Sequence, residues 1–253
     1  MIRLRRAVLA PGTTELLRSY TDDIRQRATH EERKARAKAL WENRRQVRPA
    51  LLAGLAEMAP GHERCMYCGD SQGTDIDHFE PKSLAPLLTF DWLNHLLACS
   101  SCNSIQKGNR FPLAADGSPL LVDPTAEDPL DHLRLVLPVG TYRGLTDRGQ
   151  ACIEVFGLNT RSVLVKGRMD AYLMAQGSIE LWRTAMDRGQ RDKATEIVRV
   201  AWNHPLIDVL VAMFHQSGHP AADALFVGEE ETLDLLRDSE LRTAFLHYRG
   251  LSY

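Results

Sequence analysis

Four of the five cysteines fall into two pairs, Cys65-Met-Tyr-Cys68 and Cys99-Ser-Ser-Cys102, with 30 residues between them. Each Cys-x-x-Cys turn sets two sulfurs about one tetrahedral edge apart, so two such turns suit a four-thiolate zinc site. A redox dithiol or disulfides are the competing uses, but no βαβ pattern surrounds either pair and the cysteine count is odd. The gap is longer than that of a simple zinc ribbon, so something folds inside it. Asp77-His78 stands in that insert and Asn103 follows the second pair. An imidazole titrates near neutrality and can take a proton from water, which makes His78 a candidate general base. A carboxylate and an amide oxygen are hard ligands, so Asp77 and Asn103 suit magnesium or manganese. Together they have the makings of metal-assisted hydrolysis. The plainer readings are a surface Asp-His pair and an asparagine that caps a helix.

Short elements have to position these groups. Alternation around Ile76, His78 and Glu80 predicts a strand that Pro81 ends. In a regular strand Asp77 and His78 point to opposite faces, so either a local twist or bulge aims both at one substrate, or the carboxylate reaches a metal from beside the strand. A second short strand is expected before Cys99, and a helix from Asn103 to Arg110 with Gly108 near its close. That ββα unit is too small to hold a core alone, which gives the zinc a folding role. His62 and His95 lie near the cysteine pairs, but four thiolates already close a tetrahedron. Cys152 lies in an apolar stretch and reads as packing. His215 and His219 have metal-site spacing, yet Gly218 and Pro220 mark a helix end, so the pair reads as loop.

Asp77-His78, Asn94 and Cys99-x-x-Cys102-Asn103-x-x-x-Lys107 resemble the HNH endonuclease motif in the zinc-knuckle form of the ββα-metal nucleases. The longer text is Ile76-Asp77-His78-Phe79-x-Pro81-Lys82, Trp92-x-Asn94-x-Leu96-Leu97-Ala98-Cys99 and Cys102-Asn103-x-x-x-Lys107-Gly108-x-x-Phe111-Pro112-Leu113. It is similar to the HNH nuclease subunits of Septu anti-phage defence systems, the PtuB-like family. The similarity continues through Leu121-Val122-Asp123-Pro124, Asp128-Pro129-x-x-His132-Leu133 and Gly157-Leu158-Asn159.

The resemblance implies an endonuclease that hydrolyses DNA, or RNA, to 5′ phosphate and 3′ hydroxyl ends. It assigns His78 as general base, Asp77 and Asn103 to one catalytic Mg2+ or Mn2+, and Asn94 to bracing the loop and orienting the base. Lys82 and Lys107 are either phosphate contacts or plain surface lysines. Glu80 departs from the pattern, since a basic residue is expected there; an extra metal ligand or a salt bridge is left open. A separate ATPase subunit is the implied partner, and the sequence itself holds no Gly-x-x-x-x-Gly-Lys-Ser/Thr loop. Two other readings stand beside this one: a zinc-stabilised nucleic-acid-binding module without cleavage, and a nuclease subunit silent until its partner releases it.

The whole chain reads as mainly α with a small α+β insert, a ββα-metal HNH module braced by a four-cysteine zinc site within a helical scaffold. Three stretches are expected: a helical, basic region at 1–58, the nuclease module at 59–115, and an irregular wrap followed by helices at 116–253. Within them the pattern predicts helices over 13–58, with a charged one from Glu31 to Arg45, and a hairpin around Gly140. Gly157-Leu158-Asn159 is expected to end one helix and cap the next, which runs to Met186. Further helices are expected near Arg191–Trp202, Leu206–Phe214 and Glu229–His247, serving either as a docking surface or as scaffold.

The 253 residues carry 31 Lys and Arg against 33 Asp and Glu, a net charge of −2. That balance hides polarity: residues 1–50 hold 13 basic against 6 acidic groups, or +7, leaving −9 for the rest. The basic end is either a footprint for phosphates or a set of solvated helix faces. No apolar run reaches membrane length and no signal peptide is visible, so a cytoplasmic protein without a membrane partner is expected, with a homo-oligomer left open.

Overall fold

A computed structural model describes residues 1–249. α1 (Pro11–Arg25) begins with proline, whose missing N–H is harmless in a first turn, and buries Leu17 and Ile24 two turns apart. α2 (His30–Glu42) starts on a capping box: Thr29 Oγ1 accepts from the Glu32 N–H at 3.2 Å, and Glu32 Oε2 accepts from the Thr29 N–H at 3.0 Å. It buries Ala37 and Trp41, one turn apart. The helix ends at Glu42, short of the expected Arg45, because the next residues tighten into a 3₁₀ turn at Arg44–Gln46. α3 (Arg48–Met58) follows, with Pro49 in its first turn. Much of the basic charge here is spent on helix surfaces: Arg25 pairs with Asp22, Arg27 and Arg36 with Asp23, Lys34 with Glu31 and Lys38 with Glu42.

β1 (Asp75–His78) and β2 (His95–Ala98) pair antiparallel, from Asp75 opposite Ala98 to His78 opposite His95. The register is continuous, so of the alternatives left open for Asp77 and His78 a bulge in β1 is excluded. The strand also stops before Glu80, because the Asn94 side chain takes the Glu80 backbone groups. The helix after the second cysteine pair runs over Ser101–Lys107, starting two residues before Asn103. It is wound wide: the Gly108 N–H donates to the Asn103 carbonyl five residues back, at 2.7 Å. Gly108 has φ +52°, a conformation that glycine adopts without strain.

The hairpin around Gly140 is present as β3 (Leu133–Val136) and β4 (Thr141–Gly144). Gly140 has φ +71°, and a Cβ there would lie 2.3 Å from the Val165 carbonyl oxygen. Helices follow: α4 (Asp147–Val155), α5 (Ser162–Asp187), α6 (Arg191–Asn203), α7 (Asp208–Ser217), α8 (Ala222–Leu225), α9 (Glu230–Arg237) and α10 (Ser239–Arg249). Asn159 does not cap α5. Its amide instead brackets Tyr142, accepting from the Tyr142 N–H and donating to its carbonyl, both at 2.7 Å. The single last helix expected from Glu229 is two, split where Asp238 turns extended and its carboxylate caps the Leu241 N–H at 2.8 Å. His215 lies in the last turn of α7 and only His219 lies beyond it, so the pair is not wholly loop.

Buried side chains from all three stretches join one core, from Ile24 and Leu51 through Leu97 to Phe156, Met213 and Phe245. The mainly helical scaffold with a small ββα insert is therefore what the chain forms. No single helix among the described residues is long and apolar enough to cross a membrane.

Candidate functional site

The four paired cysteines converge. Their sulfurs all lie within 4.8 Å of one another, and every one of these side chains is buried. Cys68 Sγ and Cys99 Sγ are 3.9 Å apart, close to the ~3.8 Å edge of a tetrahedron with 2.3 Å metal–sulfur bonds. The backbone builds this cage: the Met66 N–H donates to the Leu97 carbonyl of β2, and the Gly69 N–H to the Cys65 carbonyl, both at 2.9 Å. Hydrogen bonding among the sulfurs splits the set, drawing Cys68 down to about 6, first through Cys102, and pushing Cys102 up, first through Cys65; Arg161 Nη1 donates to Cys102 Sγ at 3.3 Å. The cluster fits a structural metal. Neither His62 nor His95 belongs to it. Cys152 is separate and fully buried, its sulfur accepting from the Val122 N–H at 3.2 Å.

The hairpin stands directly on this cage and ends at His78. His78 Nε2 lies 3.0 Å from the Thr89 carbonyl oxygen. A carbonyl can only accept, so the ring proton sits on Nε2 and Nδ1 keeps its lone pair. Trp41 of α2 stands edge-on to the His78 ring with centroids 4.3 Å apart and so forms a wall for it. Burial pushes the His78 imidazole well below its ordinary value, and the nearby His95, Lys82 and Lys107 add to that, which keeps it neutral. Asn94 holds the loop between the strands closed: Oδ1 accepts from the Glu80 N–H at 2.7 Å, and Nδ2 donates to the Glu80 and Leu88 carbonyls at 3.0 and 3.1 Å. Glu80 thus enters through its backbone, and its side chain is neither ion-paired nor on the cleft wall among the described residues.

The other face of β1 carries two carboxylates, since residues two apart on a strand share a side. Asp77 is almost completely buried; its Oδ2 accepts from Tyr67 Oη at 2.5 Å and its Oδ1 from Lys107 Nζ at 3.0 Å. Burial pushes the Asp77 carboxyl up, while Lys107 and Tyr67 hold it back. Lys107 also donates to the His78 carbonyl at 2.6 Å and is 1% exposed. It is therefore neither a surface lysine nor a phosphate contact; the wide turn of the Ser101–Lys107 helix directs it inward. Asn103 Nδ2 lies 3.3 Å from Asp75 Oδ2, so the carboxylate in contact with Asn103 is Asp75, while the expected Asp77 lines the same cleft.

One cleft of about 200 Å³ gathers these groups: Asp75, Asp77, His78, Lys82 and Asn103 line it together with Trp41, Arg44 and Arg48. Its oxygen donors, two carboxylates and an amide, have the hard-ligand chemistry of a magnesium-type site.

Residues 65–110, from the first cysteine to just past Lys107, match the family model of the HNH endonuclease. This segment is an HNH endonuclease domain. The chain is also similar to the Septu protein PtuB of Bacillus thuringiensis, 29% identical over 129 residues. That match covers 48% of this chain and 46% of the relative, so the similarity spans about half of each. Within the HNH domain His78, Asp77, Asn94 and Asn103 cluster around the cleft and its loop, whereas Lys107 lies beneath it. Three participants come from no motif. Asp75 is signalled only by its i, i+2 relation to Asp77, Trp41 by its place on the apolar side of α2, and Thr89 acts through its backbone and leaves no side-chain signal.

Proposed function

We propose that this chain is a metal-dependent endonuclease that hydrolyses DNA phosphodiester bonds, the nuclease effector of a Septu-like anti-phage system. The observation that supports cleavage rather than binding alone is the His78–Thr89 contact: it leaves Nδ1 unprotonated beside a cleft that also holds Asp75, Asp77 and Asn103. Binding a nucleic acid requires no such base.

In this reading Nδ1 of His78 takes a proton from the attacking water while Thr89 keeps the ring's tautomer and direction. Asn94 keeps Glu80 and Leu88 together, so the loop that carries Thr89 holds its place relative to β1. Asp77, Asn103 and Asp75 would hold a Mg2+ or Mn2+ ion, which when bound offsets charge on the phosphorane and the departing 3′ oxygen. The cysteine cage would hold Zn2+ and keep the hairpin and the following helix in register. The PtuB-like resemblance supplies the remaining proposal, a separate ATPase subunit that controls the nuclease.

Plasmid nicking tests the central claim. The purified chain with magnesium nicks supercoiled DNA, and His78→Ala abolishes nicking while DNA binding persists. Equal nicking by His78→Ala contradicts the base assignment. Co-purification from the native host tests the partner.

A further inference from the structure

We infer that Arg44, Arg48 and Lys82 form a phosphate clamp on the cleft rim, holding the nucleic-acid backbone beside the scissile phosphate. The inference rests on the nuclease reading and adds to it residues from outside the HNH domain. Arg44 and Arg48 come from the junction of α2 and α3, and Lys82 from the loop after β1, yet all three line the cleft with Asp75, Asp77, His78 and Asn103.

Their place on the cleft is what sets them apart, and none of them is neutralised there by an ion pair. The helix-surface arginines and lysines named above sit in ion pairs, whereas Arg44, Arg48 and Lys82 form none among the described residues. Arg44 is held in place without being neutralised: its guanidinium stacks over Trp41 at 4.4 Å from the ring centroid and Nη1 donates to the Trp41 carbonyl at 2.6 Å. Its Nε is buried with no hydrogen-bond partner. Three cations held together also repel one another: burial and then Arg48 draw Arg44 down, and burial and then Arg44 draw Lys82 down. Opposing charge near Lys82 comes from Asp77 and Glu42; Asp77 already has Lys107, and Glu42 lies near Lys38 at 3.9 Å. A polyanion relieves this arrangement. A planar guanidinium stacked on an indole is also a rigid, pre-formed phosphate donor.

The test is duplex binding by fluorescence anisotropy over a salt series on the full chain, with no magnesium or manganese added, which prevents cleavage without stripping the cysteine cage of its metal. Arg48 is exposed on the first turn of α3, so Arg48→Ala leaves packing intact; Arg44→Lys keeps the charge where Arg44→Ala would undermine Trp41. The double variant Arg48→Ala/Lys82→Ala is expected to weaken binding about tenfold or more and to lower the slope of log K against log salt by about 2, roughly 1 per lost contact. Arg33→Ala, on α2 away from the cleft, is expected to bind as wild type. Wild-type affinity and slope in the double variant, or an equal loss in Arg33→Ala, overturns the clamp while nicking by wild type still upholds the nuclease. A wild-type chain that neither binds duplex nor nicks it overturns both. Competition by inorganic phosphate as effective as that by duplex, at equal phosphate concentration, overturns a backbone clamp in favour of a simple anion site.

Discussion

The rings of His78 and His95 stand edge to face with centroids 5.1 Å apart, and each Nε2 reaches the same Thr89 carbonyl oxygen, at 3.0 and 2.9 Å. One acceptor therefore sets the tautomer of two rings. His95 is completely buried with Nδ1 unpartnered, and it stands under Trp41, as His78 does. Its Nε2–H shares the Thr89 carbonyl with His78, and in the proposed reading His78 serves as a base only while its own ring is neutral.

That neutrality makes the domain sensitive to acid. Burial draws His95 down to about 4 and His78 well below its ordinary value. In the unfolded chain a histidine takes up its proton near 6.5. Between those values the unfolded state binds protons that the folded state refuses, so stability is full above about pH 6.5 and falls as pH drops toward 4. His95 alone contributes roughly 3 kcal/mol to that loss. Urea midpoints measured between pH 7.5 and 4.5 should fall steeply in wild type and less in His95→Gln; a flat wild-type curve contradicts the buried neutral pair. The acid limb of the nicking rate should likewise lie below 6.5.

Lys107 and Asp77 are 1% and 3% exposed, with 3.0 Å between Nζ and Oδ1. Removing one partner of such a pair leaves a buried charge uncompensated, at a cost of about 3–5 kcal/mol. Lys107→Met should therefore destabilise by that order in urea titrations, with the double variant Lys107→Met/Asp77→Asn recovering part of the loss. At temperatures where Lys107→Met remains folded, the salt slope of DNA binding should match wild type. A stable variant with a slope lower by about 1 would restore the phosphate-contact role.

Lys107 also marks the limit of what the sequence discloses. The two Cys-x-x-Cys pairs, Asp77-His78 and Asn103 are readable because their chemistry depends on side-chain type and local spacing, and the structure brings them together. The spacing from Cys102 to Lys107 locates a lysine on a helix but not its direction, which the wide turn closed by Gly108 sets. Asn159 looks like a helix cap because Asn often is one; a hydrogen-bonding site on Tyr142, 17 residues earlier, competes successfully for its amide. Trp41, Arg44 and Arg48 reach the cleft through the packing of α2 and α3 on the hairpin, a long-range relation that no local pattern carries. The charge asymmetry does point to that end of the chain, without separating Arg44 and Arg48 from the arginines spent on helix surfaces.

The cysteine cage should bind about one zinc per chain and hold the HNH domain folded. Metal analysis and a thiol-release titration of the purified protein check the stoichiometry. Cys99→Ser should be insoluble or lack cooperative unfolding. Cys152→Ser, outside the cage, should keep its zinc and lose only modest stability, since the buried Cys152 sulfur holds one hydrogen bond from Val122. A well-folded, metal-free Cys99→Ser overturns the structural-metal role.

Asn94 separates positioning from chemistry. Its amide makes three hydrogen bonds to the backbone of Glu80 and Leu88 and touches no cleft atom. Asn94→Ala should leave those backbone groups unsatisfied, at about 1–3 kcal/mol, and free the loop that presents Thr89 to His78. The imidazole then loses its fixed tautomer, so kcat should fall about 10²-fold while KM changes little. Asn94→Asp, which retains an acceptor for the Glu80 N–H but loses both donated bonds, should fall between Ala and wild type. The pH profile supplies the discriminating readout: with His78 no longer locked and buried, the acid limb of the nicking rate should move up toward 6.5. A variant with the same loss of rate but an unmoved acid limb would show that Asn94 supports the fold without orienting the base.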